Sequence, residues 1–217
     1  MGKFIYQALD ITAGYGKKIV LKDLSLDLEQ GSCTFIIGAN GCGKSTLFSV
    51  LAGIKKARSG KFLIEGKEAG EKQKQRMTGY APQESPLFFE LSVKDNLLLW
   101  YGGKEAVETA ADGGIIERLG LRELLKKRAG TLSGGQLRRV CIACAMAGNP
   151  RILIMDEPGT ALDLECKEIL QACLREYRKA GGTVLMSSHE KADWEMGDHV
   201  YLLSDGKLQE KDMTGSS

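Results

Sequence analysis

Cys33-Thr34-Phe35-Ile36-Ile37-Gly38-Ala39-Asn40-Gly41-Cys42-Gly43-Lys44-Ser45-Thr46 is the most informative stretch of the 217-residue chain. Cys33 to Ile37 is an apolar run without regular alternation, the pattern of a strand covered on both faces in a parallel sheet. From Ser45 to Ala52 apolar residues recur at helical spacing, and Gly53 supplies a helix stop. The order is therefore strand, glycine turn, helix. Gly38 to Ser45 satisfies G-x-x-x-x-G-K-[S/T], in which glycines let successive backbone N–H groups curl around phosphates. Lys44 brings a positive charge to the β and γ groups, and Ser45 offers its hydroxyl to Mg²⁺. Gly38, Asn40, Gly41, Cys42, Gly43, Lys44, Ser45 and Thr46 form the expected nucleotide-binding set.

Two further buried strands lie downstream, Arg151 to Met155 and Thr183 to Met186. The amphipathic stretch Leu164 to Lys179 separates them and ends at Gly181-Gly182. The first strand runs into Asp156-Glu157. Adjacent strand residues point to opposite sides, which predicts different roles for the two acids. In phosphate-loop enzymes such a strand is expected beside the loop strand, with Asp156 holding the metal's water shell and Glu157 orienting the attacking water. Leu132-Ser133-Gly134-Gly135-Gln136 precedes a helix from Arg138 to Ala147, and a helix N-terminus attracts anions. The chain thus has two phosphate-binding helix starts.

Toward the N-terminus, Phe4 to Leu9 and Ile19 to Leu28 alternate apolar with polar residues, as half-buried antiparallel strands do. Val200 to Leu203 and Lys207 to Gln209, joined by Asp205-Gly206, read as a closing hairpin. Between roughly Glu84 and Ala129 no strand pattern occurs. Val93 to Trp100 and Ile115 to Leu125 read as helices, with a break at Gly113-Gly114. These elements predict an α/β fold: a P-loop NTPase core with a parallel sheet, a small N-terminal antiparallel β-subdomain and an inserted α-helical subdomain. The expected division is 1–83 and 146–210 for the core, 84–145 for the helical insert and 211–217 for a frayed tail.

Composition narrows the function. Lys and Arg number 30 against 28 Asp and Glu, a formal charge of +2, far from the basic footprint of nucleic-acid binding. The basic runs at Lys55, Lys56 and Arg58, and at Lys126 to Arg128, read as solvated faces. No run approaches the ~18 apolar residues of a membrane span. With no apolar leader at Met1 to Tyr6, residence in the cytosol is expected. The six cysteines are then expected as reduced thiols. Cys141 and Cys144 lie in an apolar helix without further ligands at zinc spacing, and read as buried small hydrophobes. No Asn-Lys-x-Asp guanine-reading motif occurs, which disfavours a GTPase.

The order of phosphate loop, Leu-Ser-Gly-Gly-Gln and Asp-Glu resembles the ATP-binding cassette (ABC) ATPases, the nucleotide-hydrolysing subunits of ABC transporters. The resemblance covers about Phe4 to Gln209. It implies ATP and Mg²⁺ as cofactors and a head-to-tail dimer, feasible as a homodimer because every required element is intact. In it Ser133, Gly135 and Gln136 of one subunit face the nucleotide held by Lys44 of the other. It implies that Tyr15, in Gly14-Tyr15-Gly16, stacks on adenine, and that Gln83 reaches the metal and the water. Asp163 would cross the dimer interface or cap a helix, and His189 would lie against the γ-phosphate. The catalytic set implied is Glu157, His189 and Gln83, and the metal set is Ser45, Gln83 and Asp156. Separate transmembrane permease subunits would dock near Leu87 to Leu99, holding the chain at the cytoplasmic face of the membrane. The alternative within the family is a soluble ATPase driving an assembly process such as iron–sulfur cluster assembly. A non-hydrolytic nucleotide clamp is the alternative outside it, and Glu157 argues against that.

Overall fold

The computed structural model describes residues 3–211. Apart from Lys211, the tail expected to fray lies outside the described residues. β1 (Phe4–Tyr15) and β2 (Lys18–Glu29) form the long antiparallel pair that the N-terminal alternation predicts. β3 (Cys33–Ile37) leads through the glycine turn into α1 (Lys44–Leu51). β4 (Ser59–Ile64) and the two-residue β5 (Lys67–Glu68) return to the first sheet, in the order β2-β1-β4-β5. α2 (Glu71–Met77) and β6 (Thr78–Ala81) follow.

The helical insert contains α3 (Val93–Tyr101), α4 (Lys104–Ala111) and the one-turn α5 (Ile115–Arg118), packed in sequence and closed by α6 (Gly134–Ala145). Two expectations need correction there. α4 is an additional helix, and the stretch Ile115 to Leu125 is not one helix. Gly120 adopts φ 63°, its N–H and that of Leu121 close onto Glu117 and Ile116, and only a 3₁₀ turn at Arg122–Leu124 follows.

The chain then alternates through β7 (Ile152–Met155), α7 (Leu164–Lys179), β8 (Thr183–Met186), the short α8 (Lys191–Trp194), β9 (His199–Ser204) and β10 (Lys207–Glu210). β9 and β10 meet at Asp205 and Gly206, both with positive φ, as a primed hairpin turn requires. The second sheet has the order β10-β9-β3-β8-β7-β6; all its pairings are parallel except that of β10 with β9.

Strand residues of this sheet divide by parity between two cores. Cys33, Phe35, Ile37, Leu153, Met155, Val184 and Met186 pack with the helical insert and α7. Ile36, Ile152, Ile154 and Leu185 pack against α1 and the antiparallel sheet. Both faces are covered, which is why these strands read as apolar runs rather than as alternation.

The strand order also corrects an expectation. β8 lies between β3 and β7, so the strand carrying Asp156 is not the neighbour of the loop strand. The acids reach the loop because the parallel strands all end on one edge, where open α/β sheets bind ligands.

Candidate nucleotide site

At that edge a cavity of about 500 Å³ is lined by Tyr15, Lys18, Val20, Asn40, Gly41, Gly43, Lys44, Ser45, Thr46, Gln83, Asp156 and Glu157. The fold thereby brings together the phosphate loop, the end of β6 and the end of β7. Gly43 holds φ 118° at the start of α1, where no side chain caps the helix. The first N–H groups of α1 are therefore free to meet an anion. Lys44 is buried, and its Nζ donates to the carbonyls of Gly38 (2.8 Å) and Ala39 (3.3 Å) in its own loop. Gly38 and Cys42 do not line the cavity. Gly38 contributes a carbonyl to Lys44, and a Cβ on it would meet Leu203 O at 2.5 Å and Cys42 Sγ at 2.8 Å.

The two acids differ, though not for the reason strand alternation suggests, since both lie beyond the end of β7. Asp156 is 1% exposed; its Oδ1 accepts from Ser187 Oγ at 2.7 Å, while Oδ2 is buried with no partner. Glu157 turns into the left-handed region at φ 50°. Its Oε1 lies 2.6 Å from His189 Nε2, and its Oε2 accepts from Thr160 Oγ1 at 3.4 Å. Ser187, passed over in the sequence, serves both acids, because its hydroxyl also accepts from the Glu157 N–H at 2.9 Å. The available signal was a hydroxyl directly after a buried strand, in Ser187-Ser188-His189-Glu190.

Tyr15 is exposed at the rim of the cavity, and Lys55 Nζ sits 3.8 Å from its ring centroid. Gln83 follows Pro82, whose carbonyl accepts from Arg138 on α6.

Ser133, Gly135, Gln136 and Asp163 lie elsewhere. Together with Arg139, Ala161 and Cys166 they line a separate cavity of about 380 Å³, which shares no residue with the first. Here α6 begins with a closed capping box. Ser133 Oγ accepts from Gln136 N (3.3 Å), and Gln136 Oε1 accepts from Ser133 N (3.0 Å). A Cβ on Gly135 would come within 2.6 Å of Ala161 O, so a glycine lets α6 touch the turn before Asp163. Asp163 caps α7 by accepting from Cys166 N at 2.8 Å, and this hydrogen bond holds its carboxyl below the usual range.

A third cavity, a mostly apolar groove of about 680 Å³ between the sheet and the insert, includes Ile54, Pro82, Pro86, Trp100 and Pro150. Phe88, Phe89, Leu91, Leu99 and Trp100 are exposed on the insert, whereas Leu87 is buried and belongs to the core. Cys141 and Cys144 are buried free thiols, and burial pushes both thiol pKa values up. No helix among the described residues is long and apolar enough to cross a membrane.

This fold and site define a phosphate-loop nucleotide-binding α/β protein. The family model described as ABC transporter matches residues 21–160, and the chain belongs to that family as an ATP-binding cassette. It is 34% identical over 211 residues to the linearmycin resistance ATP-binding protein LnrL of Bacillus subtilis, covering 93% of this chain and 67% of that protein. It is 33% identical over 208 residues to the Fe(3+) ions import ATP-binding protein FbpC of Haemophilus influenzae, covering 91% of this chain and 59% of that protein. A solved ATP-binding subunit of an ABC transporter superimposes with a TM-score of 0.86 at 27% identity, covering 96% of this chain and 90% of that one. A bacterial ABC transporter cassette solved as a dimer gives 0.83 at 26% identity, covering 97% and 100%.

Proposed function

We propose that the chain is the ATP-hydrolysing subunit of an ABC transporter, closing as a dimer around two ATP molecules to drive separate membrane subunits. The observation that carries this reading is the convergence of Lys44, Ser45, Gln83, Asp156 and Glu157 on one cavity, with a water-orienting carboxylate held by His189. In this reading Lys44 exchanges its loop carbonyls for phosphate oxygens, and the free N–H groups of α1 receive the same anion. Glu157, oriented by His189 and Thr160, accepts a hydrogen bond from the water that attacks the γ-phosphorus as ADP leaves. Catalysis is then positioning and charge stabilisation rather than covalent chemistry.

The unpartnered, buried Asp156 Oδ2 suits a divalent cation, with Ser45 and Gln83 as the remaining donors. Bound Mg²⁺ would neutralise charge on the β and γ phosphates. Ser133, Gly135 and Gln136, remote from this cavity within the chain, would complete the pocket of a second subunit, and a homodimer satisfies that with Asp163 near the junction.

Residues 84–145 act in this scheme as the inserted helical unit. The apolar groove and the exposed Phe88, Phe89, Leu99 and Trp100 are the surface assigned to the membrane subunits, which would hold the chain at the cytoplasmic face. The relatives named for import and resistance favour transport over iron–sulfur assembly.

Glu157→Gln tests the reading. The variant should bind MgATP with wild-type affinity, lose turnover by on the order of 100-fold or more, and accumulate as an ATP-dependent dimer in size-exclusion chromatography. Unchanged turnover would refute the assignment.

A further inference from the structure

Arg138 is, among the described residues, the only buried arginine, and its three hydrogen bonds go to main-chain carbonyls rather than to a carboxylate. It stands on α6 five residues beyond Ser133, with its side chain turned into the protein. Nη1 donates to Pro82 O, the carbonyl immediately before Gln83. Nη2 donates to Asp156 O, which belongs to the peptide bond joining Asp156 to Glu157. Nε lies 3.4 Å from Pro158 O, immediately after Glu157. One planar guanidinium therefore spans the peptide ahead of Gln83, the peptide that joins Asp156 to Glu157, and the carbonyl of Pro158, the residue after Glu157.

Burying this cation is costly, and desolvation pulls its pKa down. The carbonyl contacts, together with nearby groups of opposite charge that include Asp156 and Glu157, offset the cost. Glu157 meanwhile holds φ 50°, a region that persists in a non-glycine residue only where its surroundings over-determine it. Ser187 Oγ fixes its N–H from one side; Arg138 fixes the flanking carbonyls from the other. Lysine would keep the charge but not the geometry, since a single ammonium cannot span three carbonyls in the fixed fork of an arginine.

The geometry points to Arg138 as a positioning residue for hydrolysis, clamping the backbone that aims Glu157 and Gln83 into the nucleotide cavity from the helix that carries Ser133. This inference rests on the reading of Glu157 as the water-orienting carboxylate. It separates two steps: ATP binding, which uses Lys44 and the α1 amides, does not need the clamp, whereas turnover does.

The test uses the full chain as wild type, R138K, E157Q and the R138K/E157Q double variant, with R138Q as a second replacement should R138K fail to fold. Fluorescent-nucleotide titration gives Kd, steady-state and single-turnover phosphate release give the rate, and thermal melting verifies that each variant is folded at the assay temperature. Misplacing a catalytic group by about 1 Å can cost on the order of 100-fold, so R138K should lower kcat by about 10- to 100-fold while Kd for MgATP stays within about threefold. On the E157Q background the same substitution should add less than about threefold, because the main group it aims is gone and only Gln83 is left to misplace. A kcat for R138K within twofold of wild type overturns the inference, as does a loss that multiplies onto that of E157Q or a Kd that rises in step. E157Q retaining turnover overturns the function reading as well; E157Q inactive with R138K fully active overturns only the role given to Arg138.

Discussion

α1 and α6 both begin at glycines near a cavity, and both were legible in the sequence as anion-binding helix starts, yet their ends are built differently. α1 has Gly43 in a left-handed conformation and no side-chain cap. α6 is closed by its own Ser133 and Gln136, each accepting the other's N–H. A ligand is therefore the natural partner for the amides of α1, while the start of α6 is satisfied without one. The difference teaches that a helix start built for binding can leave its amides uncapped, whereas a start that, as in the proposed dimer, would meet a ligand only on assembly must be stable alone in the meantime. Such a start needs a side chain that can serve as a cap and a contact in turn, as a serine hydroxyl can.

The strongest way to break this contrast is at α1. Lys44→Met should weaken ATP binding by at least about 100-fold, roughly 2.8 kcal/mol, measured by nucleotide titration, while thermal stability changes little. A large loss of stability with binding intact would mean that the lysine serves the loop rather than the ligand.

Next comes α6. Ser133→Ala should cost about 1 kcal/mol of stability in denaturant unfolding, because the cap is lost. It should leave the ATP affinity of dilute, monomeric protein unchanged and reduce turnover at concentrations where dimers form. A fall in monomer affinity matching that of Lys44→Met would place both helix starts in one site and end the distinction.

The smallest effect sharpens the contrast by chemistry. The α6 cap is a hydroxyl and does not titrate, whereas Asp163 caps α7 with a carboxyl whose pKa is lowered first by the Cys166 N–H. A carboxyl with a depressed folded pKa stabilises the protein above its unfolded value, about 3.9, and that contribution disappears as the pH falls through the folded value. Melting temperatures of wild type and Asp163→Asn should therefore differ slightly at neutral pH and converge in acid, once the pH has fallen below the depressed folded pKa. A gap that persists into acid would show that the charge of Asp163 does not matter to the cap.

The sequence carried the central strands and α7 almost to the residue, because burial on both faces and a long amphipathic repeat leave strong periodic signals. It did not carry β4, β5, β6 or α4. β4 begins with three exposed residues, Ser59-Gly60-Lys61, and β5 is two residues long. β6 is only Thr78-Gly79-Tyr80-Ala81, and α4 buries only Val107 and Ala111. Strand order was out of reach for a different reason: the placement of β8 between β3 and β7 comes from tertiary packing, and no local pattern records it. In the candidate site, residue types at fixed spacing point to the loop, Asp156 and Glu157, while His189 is expected from the family resemblance and its place after a central strand. Ser187 and Arg138 escaped because their importance lies in burial and in which carbonyls or carboxylates they meet. The separation of Ser133 from the loop was legible only through the family resemblance.

The backbone of Glu157 limits what evolution can try at that position. A replacement there must tolerate φ 50° as well as supply a side chain, which admits asparagine or aspartate readily and penalises valine, isoleucine or threonine. On the role proposed for Glu157, inactive descendants of this chain should therefore drift toward small amides or glycine at residue 157 and avoid branched side chains, leaving a record of the turn after the chemistry has gone.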